Sequence, residues 1–193
     1  MPPARRPSNQ FRIIAGRWRG RRLGFPPLMD IRPSPDRVRE TLFNWLRDRV
    51  AGARCLDLFA GSGALGLEAL SREAAHVVFV DREARALRAI GEHLASLGAA
   101  PDAAGRVCAE ALDYLGGPPG PFDIVFLDPP YRTGLLQPCL TALLRGWLAP
   151  GWRVYAEAPQ RPGSLPKGIT VLRETRAGQV WAGLLGAVPP EAP

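Results

Sequence analysis

The run Phe122-Asp123-Ile124-Val125-Phe126-Leu127 has the apolar density of a buried strand, and Pro129 and Pro130 force that strand to stop. Each proline fixes φ at about −65° and lacks an N–H, so neither can continue a ladder inside a sheet. The last carbonyls of such a strand stay free, and in an open α/β sheet the carboxyl ends of strands are where ligands bind. Asp128 and Tyr131 complete the segment Asp128-Pro129-Pro130-Tyr131. An acid, two imino acids that surrender their donors and an aromatic ring suit a planar amino group, as on a nucleobase or an amide. Asp-Pro by itself is an ordinary strand-ending turn. The chain upstream adds what a turn does not need.

That upstream segment is Asp57-Leu58-Phe59-Ala60-Gly61-Ser62-Gly63-Ala64-Leu65-Gly66. Arg54 to Phe59 reads as a buried strand and Ala64 onward as a helix, so the glycines occupy a strand-to-helix turn. Small residues there let a ligand approach the backbone, and free N–H groups at the helix start favour anionic groups. A second apolar strand, Val77-Val78-Phe79-Val80, ends in Asp81, twenty residues beyond Gly61. A carboxylate at that tip can accept both hydroxyls of a ribose. Asp57, Phe59, Gly61, Gly63, Asp81 and the adjacent Arg82 are therefore candidate cofactor contacts. Nicotinamide and flavin proteins share this pattern, but a hydride-transfer enzyme has no use for an amine clamp. An enzyme that methylates nitrogen does, which favours S-adenosylmethionine as cofactor. Val107-Cys108-Ala109 reads as a short third strand followed by Glu110 and Ala111. These two either read the adenine amino edge, or Glu110 is a first-turn acid favoured by the helix dipole.

Charge is unevenly placed. Residues 1–29 hold Arg5, Arg6, Arg12, Arg17, Arg19, Arg21 and Arg22 and no acid, and the rest of the chain is balanced, so the net charge of +7 resides in this segment. A genome rich in arginine codons explains arginine over lysine but not the missing acids. A basic stretch carrying Trp18 suits RNA, where arginines meet phosphates and rings stack on unpaired bases. Arg12, Arg17, Trp18, Arg19, Arg21 and Arg22 are the candidate RNA contacts.

With these residues in view the chain closely resembles the bacterial 16S rRNA guanine-N2 methyltransferase family of small class I enzymes. The likeness runs from about Phe11 to Leu184 and includes Arg12-Ile13-Ile14-Ala15-Gly16, Trp18-Arg19-Gly20, Arg32-Pro33-Ser34, Asp36 to Leu46 and Cys55 to Arg72. The resemblance implies a mostly parallel, seven-stranded Rossmann-like sheet, S-adenosylmethionine as donor and one guanine of small-subunit ribosomal RNA as acceptor. It also implies that the segment bearing Arg32, Arg37 and Arg39 packs over the cofactor pocket, where these arginines can neutralise the methionine carboxylate. Two departures stand out. Ser34-Pro35 replaces an expected Thr and a small or polar residue, and the tail Val188 to Pro193 has no counterpart.

The expected organisation is an α/β fold in three parts. Residues 1–29 form a basic RNA-binding arm, disordered to residue 10 and then a β-hairpin over Phe11–Phe25 turning near Arg19-Gly20; residues 30–187 form the methyltransferase domain; residues 188–193 are a disordered tail. Ser34-Pro35-Asp36 caps a helix with Val38, Leu42, Trp45, Leu46 and Val50 on one face. Val154-Tyr155-Ala156-Glu157 is a fifth strand, and Ile169–Thr175 with Gln179–Leu185 a closing antiparallel hairpin. At 193 residues the length suits one compact domain. Cys55, Cys108 and Cys139 lack metal-site spacing and are expected to be reduced core residues, and His76 and His93 are expected to be structural or surface residues. No metal and no membrane span are expected, and the arginines near the N-terminus lack the apolar core of a signal sequence, so a cytoplasmic monomer is expected. The expected partner is 16S rRNA within an assembled or partly assembled small subunit. The competing readings are a DNA or protein-amide N-methyltransferase, a silent RNA-binding assembly factor and, weakest, a nicotinamide oxidoreductase. A DNA enzyme of this kind usually needs a recognition domain for which there is no room.

Overall fold

The structure is a computed structural model that describes residues 10–25, 36–130 and 133–189. Strands β1 (Gln10–Arg12) and β2 (Arg22–Gly24) form the N-terminal hairpin, followed by α1 (Asp36–Trp45). Then β3 (Arg54–Asp57), α2 (Ala64–Ser71), β4 (His76–Asp81), α3 (Ala84–Ser96), β5 (Ala104–Cys108), α4 (Ala111–Leu115), β6 (Phe122–Leu127) and α5 (Leu136–Leu143) alternate. The long β7 (Leu148–Ala158) and the hairpin β8 (Ile169–Ala177) and β9 (Val180–Ala187) close the chain. Seven strands form one sheet in the order β5-β4-β3-β6-β7-β9-β8. The first five in that order run parallel, and β9 and β8 add an antiparallel edge. Chain order runs one way from β3 to β5 and the other way from β6 to β7, so the crevice between β3 and β6 is the switch point.

Two apolar clusters sandwich the sheet. On one face Cys55, Phe79, Ile124, Phe126 and Tyr155 pack with α1, α2, α3 and the N-terminal hairpin. On the other, Leu56, Val80, Val125, Leu127 and Val154 pack with α4 and α5. α1 buries its expected face, with Val38 and Leu42 in the first cluster and Trp45 half-buried against it; the helix ends at Trp45, so Leu46 and Val50, expected on it, join that cluster from the turn segment that follows. Gly66 sets the approach of α2 to the sheet, since a Cβ there would come within 2.2 Å of the Phe79 ring. No helix among the described residues is long and apolar enough to cross a membrane, and no group of His, Cys, Asp or Glu among them can hold a metal ion.

The hairpin is not a detached arm. Phe11, Ile13, Trp18 and Leu23 belong to the first cluster. The backbone N–H groups of Ile14 and Ala15 donate to Glu68 of α2 at 2.7 and 3.0 Å. Glu68 is fully buried and also accepts from Arg72 Nε at 2.7 Å. Arg39 of α1 is fully buried too; it donates to Asp36 at 2.6 Å and to the Arg12 carbonyl at 2.8 Å, and faces Glu68 at 3.8 Å. Its Nε and Nη1 have no hydrogen-bond acceptor among the described residues. Ser71 secures the turn: its hydroxyl accepts from Trp18 N–H and donates to the Ala15 carbonyl, and its carbonyl accepts from Arg17 N–H. Gly16 lies so close, at φ +82°, that a Cβ would fall 1.8 Å from the Ser71 carbonyl oxygen.

Several sequence expectations need correction. The third strand begins at Ala104 rather than Val107 and ends at Cys108, because an edge strand with half its surface exposed has no apolar run to betray it. The fifth begins at Leu148 and passes through Pro150-Gly151 with a register shift against β6. Cys108 is exposed, at the rim of β5, whereas Cys55 and Cys139 are buried as expected. His76 and His93 are structural, each ring meeting a carbonyl at 2.7 Å, of Asp102 and Gly24 respectively. Of the segments expected to be disordered, residues 1–10 and 188–193, Gln10 instead opens β1 and Val188 N–H donates to the Gly168 carbonyl at 3.0 Å; residues 1–9 and 190–193 and the Ser34-Pro35 part of the helix cap lie outside the described residues.

Breaking one partner of a buried ion pair typically costs about 3–5 kcal/mol. Glu68→Gln is therefore expected to destabilise the fold by about 3 kcal/mol in urea titration, with amide exchange of Ile14 and Ala15 accelerating ahead of the sheet. Wild-type protection at those two amides would show that Glu68 does not hold the hairpin.

Candidate active site

Alternation along each strand and the register between strands fix which side chains share the carboxyl edge of the sheet. Asp57 is level with Phe79 of β4 and Phe126 of β6. Phe126 is level with Tyr155 of β7. Two residues further on, Asp81, Asp128 and Glu157 follow Phe79, Phe126 and Tyr155 on the same face, that of the first cluster. The chain beyond β3 keeps pace, with Leu58 N–H donating to Phe126 and Ala60 N–H to Val80 at 3.1 and 2.9 Å. Four adjacent strand tips thus present acids to one face, with Asp57 one pleat below the other three.

Asp57 is buried (3% exposed) and accepts from Gly66 N–H at 3.0 Å, so it anchors the first turn of α2. Burial pushes its carboxyl up to about 7; the Gly66 bond opposes this and the Asp81 charge adds to it. Its bond to the Gly66 N–H makes Asp57 a support of the loop. Phe59 is half-buried against the second cluster. Gly61 and Gly63 turn the chain with φ of +49° and +76°, in the left-handed region that favours glycine. A Cβ on Gly63 would also fall 2.8 Å from Ile90.

Asp81 accepts from Gly61 N–H through Oδ2 at 2.7 Å and from Glu83 N–H through Oδ1 at 2.8 Å. A carboxylate offers about four lone-pair sites, so two remain for a ligand's hydroxyls on its half-buried outer side. Ala109 N–H donates to the Asp81 carbonyl at 3.1 Å, which brings the end of β5 alongside. Glu110 is exposed at the N-cap of α4 but makes no capping bond there; it faces exposed Arg82 at 3.8 Å. Ala111 is buried behind it. The glycine turn, Asp81, Arg82 and Glu110 therefore line one continuous rim across β3, β4 and β5.

On the other side of the crevice Asp128 follows β6, and the Pro130 carbonyl accepts from Thr133 N–H and Oγ1 at 3.1 and 2.7 Å, which pins the turn. Pro129 is buried and Pro130 exposed. Burial first, then the charges of Glu157 and Asp57, hold the Asp128 carboxyl well above the usual carboxylate range. The sequence reading passed over Glu157. It is 3% exposed and accepts from Tyr155 O–H at 2.7 Å. The signal was present, because alternation in Val154-Tyr155-Ala156-Glu157 puts an acid at a strand tip on the core face. Tyr131, the expected stacking ring, lies outside the described residues, as does Arg32.

The basic segment divides. Arg12, Arg17, Arg19, Arg21 and Arg22 are all exposed. Arg12 pairs with Asp36 at 3.5 Å and Arg21 donates to the Ser96 carbonyl at the end of α3. Trp18 is 8% exposed and packed in the core, with the Arg17 guanidinium 4.2 Å over its ring, so it presents no face to an unpaired base; this corrects its expected stacking part. Arg39 is committed to Asp36 and Glu68 and does not reach the rim as expected, while Arg37 is exposed.

Comparison with known proteins places this architecture. Residues 11–185 match the family described as conserved hypothetical protein 95. A relative from Escherichia coli strain K12 named ribosomal RNA small subunit methyltransferase D is 45% identical over 176 residues, 90% of this chain and 88% of the relative. One of the same name from Haemophilus influenzae is 39% identical over 175 residues, 89% and 91% of the two chains. The solved structure of yhhF from Escherichia coli superimposes with a TM-score of 0.84 at 43% identity, covering 92% of this chain and 98% of that one.

Glu157→Gln removes a negative charge beside Asp128, so Asp128 should ionise at lower pH than in the wild type. Carboxyl carbon NMR across a pH series measures this directly. An unchanged Asp128 titration would show that the two acids do not sense each other.

Proposed function

This chain belongs to the conserved hypothetical protein 95 family, and on that footing we propose that it transfers the methyl group of S-adenosylmethionine to the exocyclic N2 of a guanine in 16S ribosomal RNA, acting in the cytoplasm on an assembled or partly assembled small subunit. The row of acids flanking the β3/β6 crevice, with the Asp128-Pro129-Pro130 turn on one side and the glycine turn and Asp81 on the other, is what most supports this reading.

The residues of the first rim fit the cofactor. The two remaining acceptor sites of Asp81 take the ribose hydroxyls, the turn at Gly61 and Gly63 gives the methionine part close access to the backbone, and Glu110 with the Ala111 amide reads the adenine. When bound, S-adenosylmethionine supplies an already activated methyl group on a sulfonium. The amino group of guanine is a poor nucleophile because its lone pair is delocalised into the ring. Asp128 and the Pro129 carbonyl accept its two N–H groups, which orients the nitrogen in line with the methyl carbon and favours the pyramidal geometry that attack requires. Once methylated, N2 would be acidic and would have to give up a proton. The neighbours that raise the proton affinity of Asp128 suit it to take the released proton, directly or through water. The exposed arginines of the N-terminal hairpin draw the RNA electrostatically.

Asp128→Ala should leave cofactor affinity within a few-fold while lowering turnover by about 10²–10³, the scale of one lost preorganised contact. Asp81→Ala should instead weaken cofactor binding by about tenfold or more, as expected for a hydrogen bond to a charged group. Calorimetric titration and single-turnover kinetics separate the two, and wild-type turnover in Asp128→Ala would refute the clamp. Tritiated methyl transfer to small subunits from a strain lacking the enzyme should yield N2-methylguanosine on nucleoside mass spectrometry. Label in N6-methyladenine or in protein would defeat the reading.

A further inference from the structure

The arginine-bearing turn of the N-terminal hairpin is remote from the crevice. Gly16 and Arg17 sit against Ser71 at the C-terminal end of α2, an eight-residue helix whose N-terminus is at Gly63. At 1.5 Å per residue that is about 12 Å from the glycine turn, toward the opposite edge of the sheet. Arg21 is likewise tied to the last turn of α3. These groups can attract RNA but are poorly placed to hold the nucleotides beside a base in the crevice.

The antiparallel end of the sheet carries other basic groups to the catalytic edge. Ala158 at the end of β7 is level with Trp181, and Trp181 with Arg176, so the tip of the β8–β9 hairpin stands at the same edge as Asp128. With β7 and β9 between them, β8 lies three strand spacings from β6, about 14 Å. Gln160, Arg161, Glu174, Thr175, Arg176 and Trp181 line an open cleft of about 410 Å³ there. Glu174 accepts from Trp181 Nε1 and from Arg161 Nε, both at 2.8 Å. Trp181 is only 2% exposed, so Glu174 is fixed to the core and in turn fixes the outward-facing Arg161. Those two donors keep the Glu174 carboxyl below its ordinary value, so Arg161 keeps its partner in mild acid. Arg176, level with Trp181 and on the same face, is exposed and forms no ion pair among the described residues, whereas Arg173, level with Leu184, lies on the other face of β8. Gln137 in the first turn of α5 donates to the Ser164 carbonyl, so the loop after β7 is joined to the helix that follows the Asp128 turn.

We propose that Arg161 and Arg176 form a phosphate-binding surface that grips the RNA strand flanking the target nucleotide, with Glu174 positioning Arg161. The inference rests on the reading of the substrate as RNA and names the face that holds it. A guanidinium held in place by a carboxylate loses less side-chain freedom when it meets a phosphate than a free one does, and it retains further donors for that contact. The surface explains how a chain with its N-terminal arginines at the far end can still fix a nucleotide at the β6 tip.

The test is the double variant Arg161→Gln, Arg176→Gln in the full chain. Anisotropy of a labelled single-stranded oligoribonucleotide across a salt series should show the slope of log affinity against log salt falling by about 1.4, or 0.7 for each of two lost phosphate contacts. With small subunits the KM should rise about tenfold while kcat at saturation and the affinity for S-adenosylmethionine stay within twofold. Thermal unfolding checks the fold, and Arg176→Gln alone, which leaves the Glu174 pair intact, provides a second variant in which the slope should fall by about 0.7. An unchanged slope and KM in both variants overturns the proposal. Wild-type protein that binds the oligonucleotide with its full slope but methylates no RNA overturns the reading of function instead.

Discussion

Four acids on one face of a sheet, at the tips of neighbouring strands, repel one another, and everything near the crevice is arranged around that repulsion. Asp81 is held by the Gly61 and Glu83 amides, Asp57 by the Gly66 amide and Glu157 by the Tyr155 hydroxyl. Each donor is a fixed part of the backbone or core, so the acids keep their places without a metal or a buried lysine among the described residues. The cost is a high proton affinity at Asp57 and Asp128, where burial outweighs the few donors present. A crevice with this balance gains from any ligand that brings N–H or O–H groups, which is the chemistry of a ribose and an exocyclic amine.

The same glycine turn could not be held by α2 alone, which is only eight residues long and nearly all apolar. Its outer side is covered by the N-terminal hairpin, and the polar bonds of Glu68, Ser71 and Arg39 specify how that cover sits. Buried ion pairs contribute little net stability but strongly penalise other arrangements. The hairpin is thus an outer layer of the first cluster as well as a carrier of charge, and for that reason deleting it would open the core rather than simply remove arginines.

Much of this was legible from residue patterns. The apolar runs ending in Asp57, Asp81 and Asp128 located three strand tips to within a residue or two, because a strand buried on both faces must be continuously apolar. The edge strand β5 was shortened in the reading because Ala104-Gly105-Arg106 lacks any such run; its ladder is supplied by β4. Trp18 and Arg39 were misjudged for a shared reason. An aromatic or an arginine in a basic stretch looks like a ligand contact, and nothing local reveals that Ser71 and Glu68, more than twenty residues away, take them into the core. Glu157 was placed in its strand, but that it faces Asp128 follows only from the register of β7 against β6.

Cys108 differs from the other two cysteines in being exposed, and it stands level with Asp81 on the rim where Arg82 and Glu110 meet, its Sγ 3.5 Å from the Arg82 carbonyl. With Cys55 and Cys139 sealed in the core, a thiol-directed fluorophore would attach at that single position without any engineered residue. The native chain thereby carries its own reporter handle at the β4–β5 rim of the crevice, from which any ligand that settles between Asp81 and Glu110 can be followed optically.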